Sequence, residues 1–381
     1  MTAASRVRSA GDLGMFRGGS GFPIRYQGNK SGDLPFFKVS DMNKSGNELF
    51  MRRANNYVSE STRKNMGAVR IPAGAIIFAK VGAAVFLERK RILAHDSCID
   101  NNMAAFIVDE KQLDIRFGHY LLTAFRMSDL VAVGALPSLN GGQLRSIPLL
   151  VPTTIDVQKR INAALTSADD FLVTLEDLIA KKQDIQQGLL QQLLSGRTRL
   201  PGFTAEWTDC HLGDVLAVRH GRSQKSVESP SGTIPILATG GRIGWADRPL
   251  YSKPSVLIGR KGTIDRPQYQ SSPFWTVDTL FYTEISIKAD ARFLFYVFQT
   301  VDWRSLNEAS GVPSLSSSRV ENVKISLPDL AEQKAIRVVL DDSGTEIAAL
   351  AARLAKARAI KTGMMQQLLT GRTQFCGEST S

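Results

Sequence analysis

The sequence predicts an α+β protein built as an internal repeat: two homologous heads and a pair of long antiparallel coiled-coil helices, related by a pseudo-two-fold axis. Three observations predict it. First, Gln191-Gln-Leu-Leu-Ser-Gly-Arg-Thr198 returns as Gln366-Gln-Leu-Leu-Thr-Gly-Arg-Thr373, and Gln158-Lys159 returns as Gln333-Lys334 at the same interval, with no insertion or deletion between the two anchors. Second, the stretch between these anchors carries a heptad seam. Its apolar positions are Ile161, Leu165, Ala168, Leu172, Leu175 and Ile179, resuming at Leu189 and Leu193, and in the second copy Ile336, Leu340, Ile347, Leu350 and Leu354, resuming at Met364 and Leu368. Third, the match extends beyond the helices. Asp114, Arg116, Phe117, Tyr120, Pro137, Ser138 and Pro152 recur, at almost the interval of the helices, as Asp290, Arg292, Phe293, Tyr296, Pro313, Ser314 and Pro328.

Head one occupies residues 1–152. Strands are expected at Ala75–Ala79 and Ala104–Val108, between Gly, Pro, Asn and Ser clusters. A helix is expected over Ile115–Ser128, and an apolar run at Ile147–Pro152 closes the head. The offset to head two grows upstream: Gly82 pairs with Gly262, Pro35 with Pro235 and Gly11-Asp12 with Gly213-Asp214. Head one therefore carries an insertion between Pro35 and Gly82, rich in basic residues such as Arg52, Arg53, Arg63, Lys64 and Arg70. The central helix spans 153–199. Head two, 200–328, repeats the scheme with a strand at Ser255–Gly259, a helix over Ala291–Asn307 and a closing run at Val323–Pro328. The C-terminal helix spans 329–373, and 374–381 is a tail. Some 35 helical residues make a rod of roughly 50 Å. A lone helix of that length would leave its stripe exposed, whereas two copies can cover each other. We place Leu172, Leu175, Ile179, Leu193, Leu194, Ile347, Leu350, Leu354, Leu368 and Leu369 in the helix pair or in a subunit interface.

The chain has 381 residues, 43% of them hydrophobic, enough for two or three globular domains. No stretch approaches the roughly 20 apolar residues of a membrane span, and no apolar run follows the basic N-terminus, so a cytoplasmic protein is expected. The formal charge of +11 favours an anionic partner, nucleic acid first. Residues 1–150 hold 20 Lys and Arg against 12 Asp and Glu, so the excess lies mainly in head one.

Catalytic signatures are wanting. There is no G-x-x-x-x-G-K-[ST] phosphate loop and no D/N-P-P-Y/F run. Cys98, Cys210 and Cys376 lie far apart, and His95, His119, His211 and His220 show no metal spacing, so no metal site is expected. Glu88-Arg-Lys90 fits the E-x-K fragment of a nuclease site, but has no counterpart in head two; a charged turn is the plainer reading. Polar loops fit DNA better. In head one they offer Lys38, Ser40, Arg52, Arg53, Lys80, Asn140, Gln143 and Arg145. In head two they offer Arg219, Arg222, Thr239, Arg242, Arg260, Lys261, Ser316 and Arg319. Arg and Lys suit guanine edges, Asn and Gln adenine, and all of them suit phosphate.

These residues resemble a known family. Gly188-Leu-Leu-Gln-Gln-Leu-Leu-Ser-Gly-Arg-Thr-Arg-Leu-Pro-Gly-Phe203, with Glu206-Trp207 and Leu212-Gly-Asp214, is similar to the junction between the halves of specificity (S) subunits of type I restriction–modification systems. Glu332-Gln-Lys-Ala-Ile336 resembles that family's start of a long helix. The resemblance covers essentially the whole chain. It implies two target-recognition domains, each reading half of a bipartite, asymmetric double-stranded DNA sequence. The helices would space them and dock two methyltransferase (M) subunits, with restriction (R) subunits joining where present. It implies a non-catalytic chain: S-adenosylmethionine and ATP belong to the partner subunits. Half-sites about one turn, roughly 34 Å, apart suit such a rod. Head one departs from the pattern by lacking the Pro…Trp lead-in before Gly11-Asp12, and is expected to be trimmed or to start further upstream. The competing readings are a DNA nuclease, or a non-specific DNA-binding scaffold, with a coiled coil.

Overall fold

The computed structural model describes residues 5–131 and 137–371. Ala135 and Leu136 of the repeated Pro137 segment, Arg372 and Thr373 of the repeated helix motif, the tail 374–381 and Cys376 lie outside them. The chain forms two compact units, residues 1–174 with 354–381, and residues 175–353.

Unit one holds β1 (Ser5–Ser9), β2 (Gly14–Gly18), β3 (Leu34–Phe37), β4 (Phe50–Met51), β5 (Asn56–Val58), β6 (Ile76–Ala79), β7 (Lys90–Leu93), β8 (Cys98–Ile99), β9 (Met103–Val108) and β10 (Pro148–Pro152). They form a five-stranded sheet ordered β2-β9-β6-β7-β4, a three-stranded sheet β5-β3-β8 and a ribbon β1-β10. Every residue of β6 is buried, as a continuous apolar run requires of a central strand. The insertion supplies β4 and a short helix, Glu60–Asn65.

Unit two holds β11 (Thr208–His211), β12 (Leu216–Arg219), β13 (Ile234–Ala238), β14 (Gly241–Ala246), β15 (Ser255–Gly259), β16 (Gln268–Gln270), β17 (Trp275–Thr276), β18 (Leu280–Ile285) and β19 (Lys324–Leu327). The sheets are β12-β18-β15-β16, β14-β13-β17 and the ribbon β11-β19. The arrangement β2-β9-β6 recurs as β12-β18-β15. The parallel pair β3-β8 recurs as β13-β17, so the repeat extends to strand pairing.

The two long helices, Ile155–Leu194 and Leu330–Leu369, have 40 residues each, roughly 60 Å. Each starts at a buried glutamine. Gln158 accepts the Asp114 N–H (2.8 Å) and donates to the Pro152 and Gln112 carbonyls (3.1 and 3.0 Å). Gln333 accepts the Asp290 N–H (2.9 Å) and donates to the Pro328 and Lys288 carbonyls (2.9 and 3.3 Å). The clamp ties strand end, short helix and long helix together, and Asp114 and Asp290 cap the short helix by accepting the Phe117 and Phe293 N–H groups.

In unit one the helices run antiparallel: Leu165 shares a core with Leu368 and Leu369, while Asp169, a turn further on, pairs with Lys361. In unit two Lys182 pairs with Glu346, and Leu190 and Leu193 share a core with Ile336 and Leu340. Tyr120 donates to Asp169 (2.5 Å) and Tyr296 to Asp341 (2.6 Å). Asp169 and Asp341 are not equivalent positions of the helix repeat. The same hydroxyl finds its acceptor about one turn earlier in the second copy.

Two expected helices end sooner than their apolar pattern suggests. The first covers Ile115–Ala124: the next carbonyl, of Phe125, accepts the buried Lys90 ammonium, and Glu88 takes the Met127 and Ser128 N–H groups. The second covers Ala291–Thr300, because the buried Trp303 indole donates to the Phe298 carbonyl (2.7 Å) and turns the chain.

Candidate nucleic-acid interface

The same main-chain frame recurs in both units around one basic residue. Lys80 N–H donates to the Asn102 carbonyl (2.8 Å), Gly82 N–H to Pro137 (2.8 Å), and the Lys80 carbonyl accepts Leu139 N–H (2.9 Å). In unit two Arg260 N–H donates to Thr279 (2.8 Å), Gly262 N–H to Pro313 (2.9 Å), and the Arg260 carbonyl accepts Leu315 N–H (2.9 Å). Gly82 and Gly262 have φ of 80° and 88°, a left-handed turn that glycine adopts without strain. The frame joins the end of a central strand to the Pro-Ser-Leu loop, bringing Lys80 beside Asn140, and Arg260 and Lys261 beside Ser316.

Around the unit-one frame, Gly19 N–H donates to Met103 and Ser20 N–H to Ile99, which ties the start of the following loop, 21–30, to the β8–β9 turn. Lys38 reaches that loop by donating to Gln27 Oε1 (3.2 Å). Asn140 and Gln143 form a reciprocal capping box, and Gln143 also donates to the Leu130 carbonyl, so the Gln143 amide is spent locally while Asn140 commits only its oxygen. Arg145 is exposed and lies over Gly11. Ser40 is exposed near Lys38, while Arg52 and Arg53 are exposed on the insertion, where Arg52 stacks on Phe50.

In unit two Arg222 N–H donates to Thr276 and its carbonyl accepts the Trp275 indole. The Gln268 side-chain amide donates to the Ala238 and Thr239 carbonyls, holding the β13–β14 hairpin beside the Gly262 turn. Arg242 stacks over Trp245 at 4.3 Å. Two candidates are already engaged: Arg219 pairs with Glu284 (2.9 Å) and Arg319 with Glu308 (3.0 Å). Ser316 caps the helix that starts at Ser317.

On the helices, Leu175 is buried, and Leu172, Ile179, Leu194, Ile347, Leu350 and Leu354 are half-buried. Leu193 is buried in the unit-two core, and Leu368 and Leu369 in the unit-one core. These three are buried where the two long helices meet each other and the head. Exposed instead are Val173, Leu178, Ile185, Val338 and Ile360.

The Glu88-Arg-Lys90 turn is a structural clamp. Lys90 is 2% exposed and paired with Glu88, whose carboxylate also accepts two backbone N–H groups. Burial alone would raise Glu88, but Lys90 and the Ser128 and Met127 donors outweigh it and hold the carboxyl at about 2. Among the described residues no group of His, Cys, Asp or Glu could hold a metal ion, and no helix is long and apolar enough to cross a membrane.

Sequence reasoning missed the exposed Ile24-Arg25-Tyr26 tip of loop 21–30 and the partners of Arg242, Ile243 and Trp245; a basic residue next to aromatic and aliphatic ones was the available signal.

The sequence model of the type I restriction modification DNA specificity domain matches residues 5–187 and 204–357. The S subunit of a type I restriction-modification system from M. genitalium superposes with a TM-score of 0.63, 13% identity and 96% of each chain covered. A chain from a structural study of complex assembly and conformational transition of the type I R-M system gives 0.61, 16% identity, and 96% of this chain and 97% of that one. The HsdS subunit from Thermoanaerobacter tengcongensis gives 0.54 at 15% identity, with 97% of each chain covered. The type I restriction enzyme MjaVIII specificity subunit of Methanocaldococcus jannaschii is 27% identical over 115 residues, 30% of this chain and 25% of that protein's length.

Proposed function

We infer the function from one premise: this chain belongs to the type I restriction modification DNA specificity family and carries its domain in two copies. It serves as the specificity subunit of a restriction–modification complex, and each unit reads one half of a bipartite, asymmetric duplex target. The observation that carries this reading is the repeated frame around Lys80 and Arg260. A bond-for-bond identical frame presents a basic residue in each unit, while the adjoining loops differ in sequence and length. Identical frames favour a common task, and different loops favour different base sequences.

The two long helices set the gap between the halves and dock two methyltransferase subunits, with restriction subunits joining where present. The exposed aliphatic residues Val173, Leu178, Ile185, Val338 and Ile360 support docking, since lone helices seldom leave so many apolar side chains in water. S-adenosylmethionine and ATP are bound by those partners, and this chain has no catalytic step of its own. Its place of action is the cytoplasm, where the DNA is.

The test is methylation mapping of DNA from cells that express the full chain with its methyltransferase. The expected result is one interrupted motif with two unlike halves. An uninterrupted palindromic motif, or cleavage by this chain alone with magnesium, would overturn the reading.

A further inference from the structure

Each unit displays one exposed isoleucine next to an arginine stacked on an aromatic ring, and the two displays sit on different elements. In unit one the tip of loop 21–30 carries Ile24, 87% exposed, and Arg25, whose guanidinium lies 4.9 Å from the Tyr26 ring centre. In unit two the edge strand β14 carries Ile243, 55% exposed, between Arg242 and Trp245, whose ring centre lies 4.3 Å from the guanidinium. β13 and β14 slip register between Ile236 and Leu237, a bulge that leaves Ile243 without a strand partner.

Both displays are held by hydrogen bonds or ring stacking close to the exposed residues. Phe22 stacks on Phe36 at 3.8 Å, Gln27 donates to the Phe22 carbonyl, and Gly28 N–H donates to Asn56 Oδ1. Gln268 holds the turn of the β13–β14 hairpin by donating to the Ala238 and Thr239 carbonyls. Neither 21–30 nor 239–246 contains an Asp or Glu. Lys38 lies beside the first, and the second lies by the turn that carries Arg260 and Lys261. An exposed edge strand bearing Ile and Trp invites aggregation unless a partner covers it. The charge of both tips suits a polyanion, and their flat rings and aliphatic groups suit bases rather than phosphates.

We propose that Ile24-Arg25-Tyr26 and Arg242-Ile243-Trp245 are the elements that contact base edges, one for each half of a duplex DNA target. The proposal rests on the family reading above and deepens it. It also explains unlike halves: one unit reads with a loop before β3, the other with a hairpin after β13.

The experiment uses the full chain assembled with its methyltransferase and a duplex library with about 30 randomised base pairs as probe, enough for two half-sites a turn apart. Wild type, the double variant Arg25→Ala/Tyr26→Ala and the double variant Arg242→Ala/Trp245→Ala are compared by the sequences each retains. Each double variant is expected to lose roughly 10- to 100-fold preference at one or two positions of a single half, a different half for each. Ile24→Ser and Ile243→Ser, at exposed sites, are expected to blur the same positions without moving Tm. Retention of the wild-type motif by both double variants, or equal weakening on every sequence, would overturn the proposal alone. A wild-type complex that selects no two-part motif would overturn the family-based reading beneath it.

Discussion

His119 sits where the second unit carries Phe295, and it brings a titratable ring to that position. The imidazole is 8% exposed; its Nε2 is 3.1 Å from the Lys90 carbonyl, and its Nδ1 has no partner. Burial pulls its pKa down to about 4, opposed by the Lys90 carbonyl and reinforced by Arg116 and Arg91. The folded chain thus keeps it neutral where the unfolded chain takes a proton near pH 6.5, so stability is full above 6.5 and falls as pH drops toward 4. His119→Phe should flatten that loss. Chemical unfolding at pH 7 and pH 5 should show a drop about 2 kcal/mol smaller in the variant than in the wild type. Equal drops would refute the assignment. Glu88 does not interfere, because a carboxyl held at about 2 keeps its contribution above pH 4.5 and loses it only as pH falls toward 2.

At the scale of elements, the glutamine clamps are the joints of the fold. Gln158→Ala would strand one buried N–H and two carbonyls, a cost of about 2–4 kcal/mol, and Gln333→Ala should cost about the same in the other unit. Urea midpoints of the two variants check this, and a shift under about 0.5 kcal/mol in either would contradict it. The position of these glutamines was legible in the sequence as the repeated start of each long helix, although their bonds to strand end and short helix were not. The central strands were legible too, since their apolar runs admit few alternatives. Other features were not legible because distant residues decide them. The short helices stop where Lys90 and Trp303 take their carbonyls, and neither residue belongs to the local pattern. Arg219 and Arg319 look like Arg222 and Arg242 in sequence, yet acidic neighbours 65 and 11 residues away hold them. Leu193, Leu368 and Leu369 fit the helix seam and meet the opposite helix there, but the head residues that share their cores lie outside the heptad pattern.

For the whole molecule, the proposed spacing role has a numerical consequence. One heptad added to each long helix lengthens it by roughly 10 Å, about three base pairs at 3.4 Å each. Methylation mapping should find the same two halves with a correspondingly longer gap; an unchanged gap would exclude the ruler. Docking is tested separately. Ile185→Asp and Ile360→Asp alter exposed positions and should weaken capture of the methyltransferase at least tenfold with Tm unchanged. The sharing of helices between units also governs synthesis. The unit-one core that begins with Ala10 is completed by Leu368 and Leu369, and β1 packs near Gly371. A ribosome adding about 5–20 residues each second would release Leu165 some 10 to 40 seconds before Leu368. Through that interval the nascent first head has a gap in its wall, and the last turn of the last helix is the plug that closes it.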